Sequence, residues 1–188
     1  MKQNIQISKA LKPVSGALSF PGDKSLSHRA IIFGAISEGE TRVNGFLSAQ
    51  DCLRTLAAFQ GLGVEIRREK ESLNISGVGI QGLTEPKDVI DLGNSGTALR
   101  LLTGLLAGQE FFSVLTGDNS LRQRPMRRVV EPLREMGALI FGREGGGLAP
   151  VAILGIEGTA HTFAVGIATE DPAKRNGEPR CKILANER

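Results

Sequence analysis

Lys24, Ser25, Ser27 and Arg29 crowd the entrance of one apolar run, AIIFGAI. Asn94, Ser95, Gly96, Thr97 and Arg100 crowd the entrance of another, LLTGLLAG. Small hydroxyl or amide residues at such a place cap a helix and leave its first N–H groups free. A helix N-terminus with a cation beside it attracts an anion, most often a phosphate or carboxylate. The two arginines stand 100 − 29 = 71 residues apart. Two such devices describe a protein that grips an anionic small molecule from several sides. A third cation, Arg124, lies in the loop segment TGDNSLRQRPM, just before Pro125.

Each of these residues also has an ordinary reading. Lys24 could be a solvated lysine. Arg29 and Arg100, opening apolar helices, read as buried and so need an anionic partner, either a ligand or an aspartate such as Asp23, Asp51 or Asp91. Gly96 could be a plain helix-start glycine, or could let backbone approach a ligand closely. His28 reads as a buried or half-buried neutral imidazole. Arg127, Arg128 and Arg134 read as a solvated helix face, and the glycines of REGGGLAP as a hairpin turn. No Ser-His-Asp or Cys-His arrangement stands out, and no phosphate-loop GxxxxGK[ST] is present.

The elements that must position these residues read as one unit used twice. In the first half, residues 17–22 are strand-like and residues 25–37 form a helix apolar on nearly all sides, hence buried. Residues 41–46 form a strand and residues 51–60 a helix with Leu53, Leu56 and Ala57 on one face. Residues 64–69 and 73–78 pair around a polar turn. In the second half, residues 89–93, 94–107, 111–117, 125–136, 138–143 and 151–155 repeat that order, with Met126, Val129, Val130 and Leu133 on one side of the second helix. Arg29 matches Arg100, Gly63 matches Gly137, and Leu73 matches Val151, at a slowly growing offset. The expected fold is α/β, as tandem βαβαββ units.

Composition narrows the function classes. The chain has 188 residues, 40% of them hydrophobic, and a net charge of +3. That suits one globular domain or slightly more. Arg122, Arg124, Arg127, Arg128 and Arg134 cluster, yet Trp and Tyr are absent, so the stacking aromatics of a nucleic-acid surface are missing. Cys52 and Cys181 make no disulfide framework, and with His28 and His161 make no metal cluster. No apolar run approaches the ~20 residues needed to cross a bilayer. The start, MKQNIQISKA, lacks a signal-peptide core. These features place the chain in the cytoplasm, without membrane or nucleic-acid partners.

PGDKSLSHRA, LGNSGTALRLLTGLLAG and TGDNSLRQRPM, in that order, closely resemble three motifs of the 3-phosphoshikimate 1-carboxyvinyltransferase (EPSP synthase) family. The likeness runs from about Ile5 to Leu154. It implies two domains of three βαβαββ units each, so that residues 21–155 supply two units of one domain and residues 1–20 belong to, or cross from, the other. It also implies transfer of the enolpyruvyl group of phosphoenolpyruvate to the 5-hydroxyl of shikimate 3-phosphate, with no metal or organic cofactor and usually as a monomer. By the same resemblance, Lys24 and Arg124 are the catalytic pair and hold phosphoenolpyruvate, with the Gly96 backbone at the same pocket. Ser25 and Arg29 hold shikimate 3-phosphate, while Asn94 and Arg100 have supporting roles.

Residues 156–188 read as a loose tail unlike the family, and a frameshift or premature stop would explain the change. The family's Ser-Ala-Gln segment and its proton-moving acids are not found. The chain is therefore expected to be an incomplete, inactive fragment, with an exposed flank where a third unit would pack. A non-catalytic anion-binding fragment is one alternative. A relative of the UDP-N-acetylglucosamine enolpyruvyl transferase is another, disfavoured because Ser25 follows Lys24 and residues 116–125 hold no cysteine.

Overall fold

A computed structural model describes residue 17, residues 20–69 and residues 72–155. Most of the expected crossing segment (1–20), two residues of the first polar turn and the whole expected tail (156–188) lie outside the described residues.

The first unit runs α1 (Lys24–Ile36), β1 (Glu38–Asn44), α2 (Gln50–Gly61), β2 (Glu65–Glu69) and β3 (Ser72–Val78). The second runs β4 (Ile90–Asp91), α3 (Gly96–Leu106), β5 (Ser113–Thr116), a 3-10 turn (Leu121–Gln123), α4 (Arg127–Glu135), β6 (Leu139–Gly142) and β7 (Leu148–Leu154). The first sheet has strand order β1-β3-β2 and the second β4-β5-β7-β6. β1 pairs antiparallel with β3 as β5 does with β7, and β2 with β3 as β6 with β7. β4 adds a parallel strand beside β5. The order β1-β3-β2 recurs as β5-β7-β6, so the repeat read from spacing is a repeat of structure over these strands, while β4 has no counterpart among the described residues of the first sheet.

The turn after each amphipathic helix shows the match at atomic detail. Gly63 and Gly137 both hold φ near +90 to +100°, a conformation open to glycine at little cost. Val64 N donates to Phe59 O at 3.0 Å, and Ala138 N to Leu133 O at 2.9 Å. Each helix then sends a side chain to the next strand: Gln60 Nε2 donates to Ile66 O at 3.2 Å and Arg134 Nε to Ile140 O at 2.9 Å. Arg134 also donates to Gly145 O at 2.7 Å. It is a backbone clamp across the β6–β7 hairpin rather than one of a solvated row.

The core is continuous across both units. Ile31, Phe59, Leu73 and Ile75 from the first, and Leu99, Leu102, Leu115, Val151 and Ile153 from the second, are fully buried. Each such side chain contributes about 1.5–3 kcal/mol through removal from water. β3 and β7 lie centrally, and their alternate residues point into this core.

Four expectations need correction. Residues 17 and 20–22 form no strand. Pro21 cannot donate to a ladder, and Gly22 instead runs against the Gly45 carbonyl, where a Cβ would sit 1.9 Å from the oxygen. The helix α1 is not buried all round: Leu26 and Phe33 are 64% and 63% exposed. It packs on β1, β3 and α2, and among the described residues nothing covers its other side. Likewise α3 leaves Leu101 exposed. On α2 the buried face is Cys52, Thr55, Ala58 and Phe59, while Leu53 and Leu56 are half-buried and Ala57 exposed. Finally, α4 starts at Arg127 rather than Pro125. Arg124, preceding a proline, is held extended, and Met126 N donates to Gly147 O at 2.8 Å instead of joining a helix.

Candidate functional site

The mouth of α1 is capped by Asp23, whose Oδ1 accepts from Leu26 N at 2.8 Å. An aspartate, not a serine, is the cap. Ser27 Oγ donates back to Asp23 O at 2.7 Å and accepts from Leu47 N at 3.1 Å. Lys24 Nζ donates to Asp51 Oδ2 at 2.5 Å, in the first turn of α2. That bond, and then the Asp51 charge, raise the Lys24 pKa above its ordinary value.

Behind this pair lies His28, buried at 1% exposure. Thr55 Oγ1 donates its one proton to Asp51 O at 3.3 Å. The same oxygen is hydrogen-bonded to His28 Nδ1 at 2.8 Å. His28 Nε2 is buried without a partner among the described residues. Burial lowers the His28 pKa, against the pull of Asp51. The ring is neutral, as the sequence suggested. Cys52, equally buried, rests against Lys24 O at 3.7 Å, and burial pushes its thiol pKa up.

The mouth of α3 is built differently. Ser95 Oγ caps it by accepting from Ala98 N at 3.2 Å. Arg124 lies across the first turn, its Nη2 donating to Asn94 Oδ1. A Cβ on Gly96 would fall 2.7 Å from Arg124 Nη1 and 3.1 Å from Arg100 Nη1. A larger residue here would push the Arg124 guanidinium aside. Arg100 donates to Gly96 O at 3.3 Å and to Pro125 O at 3.2 Å, tying α3 to the loop that carries Arg124. Asn94 Nδ2 donates to Asp118 Oδ2 at 2.8 Å. The Asn94 amide first, and the Leu121 N–H next, hold the Asp118 pKa below the ordinary range.

The partners of the two cations share one cavity: Asp51, bound to Lys24, and Asn94, bound to Arg124, both line it. A cleft of about 650 Å³ runs between α2 and the ends of β4 and β5, lined among others by Asp51, Arg54, Asp91, Asn94, Asp118 and Arg122. Arg54 and Asp91 bridge its walls at 3.2 Å. Lys24 and Asp118 are both held in their charged forms. Such a site can bind and orient an anion, but these groups are poorly suited to passing a proton near neutrality.

Lys24, Asn94, Gly96, Arg100 and Arg124 thus surround adjoining helix mouths. Ser25 and Arg29 do not join them. One helical turn apart on α1, both are exposed, and among the described residues neither side chain has a hydrogen-bond partner. Arg29 is therefore not the buried arginine expected. Asp23, Asp51 and Asp91 are engaged with Leu26 N, Lys24 and Arg54, not with Arg29 or Arg100. Sequence reasoning missed Asp118 and named Asp51 only among possible partners of Arg29 and Arg100, whereas it pairs with Lys24. Asp118 had one readable signal: an Asp three residues before Leu121, at the start of a turn. Among the described residues no three His, Cys, Asp or Glu side chains are grouped to hold a metal, and no helix is long and apolar enough to cross a membrane.

Two sheets that repeat one three-strand pairing, with a lysine at one helix mouth and a loop arginine over the other, whose partners Asp51 and Asn94 line one cleft, define an α/β protein of the enolpyruvyl-transferase kind. The family model of EPSP synthase (3-phosphoshikimate 1-carboxyvinyltransferase) matches residues 8–170, and the chain belongs to that family. The match passes Leu154, so likeness persists further along the chain than the sequence reading placed it. A 3-phosphoshikimate 1-carboxyvinyltransferase of Geotalea uraniireducens is 56% identical over 156 residues, which are 83% of this chain and 36% of that protein. One from Geobacter metallireducens is 57% identical over 159 residues, 84% of this chain and 37% of that protein. A solved EPSP synthase from Acinetobacter baumannii superposes with a TM-score of 0.72 at 52% identity, covering 74% of this chain and 32% of that one. The chain spans about a third of the length of the curated relatives it matches.

Proposed function

We propose that this chain carries substrate-gripping groups of a cytoplasmic 3-phosphoshikimate 1-carboxyvinyltransferase. The reaction joins the enol carbon of phosphoenolpyruvate to the 5-hydroxyl of shikimate 3-phosphate and expels phosphate from the tetrahedral intermediate. Both substrates are polyanions, so convergent cations and helix mouths are what binding demands. In this reading Lys24, Arg124 and the Gly96 backbone take phosphoenolpyruvate. Ser25 and Arg29, unpartnered on the open side of α1, take shikimate 3-phosphate. Asn94 and Arg100 hold Arg124 in place.

The observation that carries the reading is the pairing of each cation with a replaceable acceptor. Lys24 rests on Asp51 and Arg124 on Asn94, and a ligand phosphate or carboxylate can replace either. No described side chain beside Lys24 and Arg124 is poised to exchange a proton near pH 7, so the 188-residue chain is expected to bind without turning over. Isothermal titration calorimetry with each substrate tests this. Saturable binding is expected, with Arg124→Ala removing phosphoenolpyruvate uptake and Arg29→Ala removing shikimate 3-phosphate uptake. Equal affinities in wild type and both variants would defeat the assignment.

A further inference from the structure

Asp118 uses its carboxylate in two directions. Oδ1 accepts from Leu121 N at 2.7 Å, closing the 3-10 turn that delivers Arg124. Oδ2 accepts from Asn94 Nδ2 at 2.8 Å. An amide that gives its NH2 to Asp118 must turn its oxygen the other way, and that oxygen accepts from Arg124 Nη2. The backbone is pinned as well: Asp118 N donates to Gly93 O at 2.8 Å, and Arg122 N donates to Asp118 O at 3.0 Å. Both ends of the Arg124 side chain's placement, the turn it springs from and the acceptor it reaches, thus depend on one aspartate. We propose that Asp118 is a positioning residue of the anion site: by fixing the Asn94 amide it aims the Arg124 guanidinium at the ligand. The aim has a use because of the reading above, in which Arg124 holds phosphoenolpyruvate.

A plain turn cap would explain Oδ1 but not Oδ2, and the two roles separate by mutation. Asp118→Asn keeps an oxygen for Leu121 N but offers an NH2 to Asn94. The Asn94 amide must then flip and present its own NH2 to Arg124, donor against donor. Combining Asp118→Asn with Asn94→Asp reverses the hydrogen bond, returns an acceptor to Arg124, and keeps the total charge.

The test is a 1H–15N spectrum of the 188-residue chain at low temperature, following the Arg124 side-chain Nη2–H signal, the group bonded to Asn94 Oδ1, assigned by its loss in Arg124→Lys. A sharp, slowly exchanging signal is expected in wild type. Exchange about tenfold faster is expected in Asp118→Asn, as for a lost charge-assisted hydrogen bond, with recovery in the double variant. An unchanged signal in Asp118→Asn, or no recovery in the double variant, overturns the proposal. A phosphoenolpyruvate titration of wild type and Asp118→Asn should show a parallel loss of affinity. If the signal behaves as expected but wild type takes up no phosphoenolpyruvate, the positioning role stands and the ligand reading falls.

Discussion

Replacing Gly96 with alanine should separate stability from binding. The new Cβ would lie 2.7 Å from Arg124 Nη1, where ordinary contacts begin at 3.4 Å. The guanidinium must therefore retreat by 3.4 − 2.7 = 0.7 Å or swing away. Either move breaks or bends its bond to Asn94 Oδ1, a hydrogen bond to a charged group worth about 1.5–3 kcal/mol. Gly96 carries no positive φ, so the backbone accepts alanine, and the first turn of α3 gains up to about 1 kcal/mol of helix preference. That gain offsets part of the loss, so the thermal midpoint should fall by only a few degrees. Phosphoenolpyruvate affinity should fall by roughly 10- to 100-fold, the equivalent of about 1.4–2.8 kcal/mol. Calorimetry and thermal melting on the same sample read both quantities. Wild-type affinity in Gly96→Ala would refute the reasoning, because it would mean that Arg124 need not lie over that glycine.

The His28 pKa is lowered by burial from its ordinary 6.5. The unfolded chain therefore takes up the proton first, and stability is full above about pH 6.5 and lost as the pH falls toward the folded value. Melting curves between about pH 7 and pH 5 should show this loss, and His28→Asn should flatten it. Gly63→Ala and Gly137→Ala should each cost about 1 kcal/mol or more because both sites need positive φ. Gly63→Ala should cost more, since its Cβ would also meet Thr84 Oγ1 at 2.5 Å while that of Gly137 meets nothing; equal losses by denaturant titration would contradict this. Cys52, buried and with its thiol pKa raised, should resist thiol reagents in the folded chain and react at once in denaturant.

Much of the fold was legible because apolar spacing and glycine placement encode it locally. Leu99, Leu102 and Leu106 fall on one helical face, and Gly63 and Gly137 mark equivalent turns. What could not be read depends on contacts made far along the chain. Leu53, Leu56 and Ala57 look like the inner face of α2 by hydropathy alone. Thr55 displaces them because His28 satisfies its hydroxyl, and a satisfied polar group buries at little cost. Residues 17–22 resemble a strand by composition, but over the described residues 20–22 Pro21 and the Gly22–Gly45 approach leave no strand. At the site, the cations were legible because an anionic ligand needs them. Their carboxylate partners were not. Asp51 and Asp118 have no evident place at an anion site by charge alone, and the structure shows each holding a cation, directly or through an amide.

The central claim is that Lys24 and Arg124, on separate units, serve one anion. A crystal structure of the chain soaked with phosphoenolpyruvate tests it most directly. The account predicts the ligand between the two cations, with Lys24 drawn off Asp51 and Arg124 still held by Asn94. Ligand density elsewhere, with the Lys24–Asp51 pair intact, would contradict it.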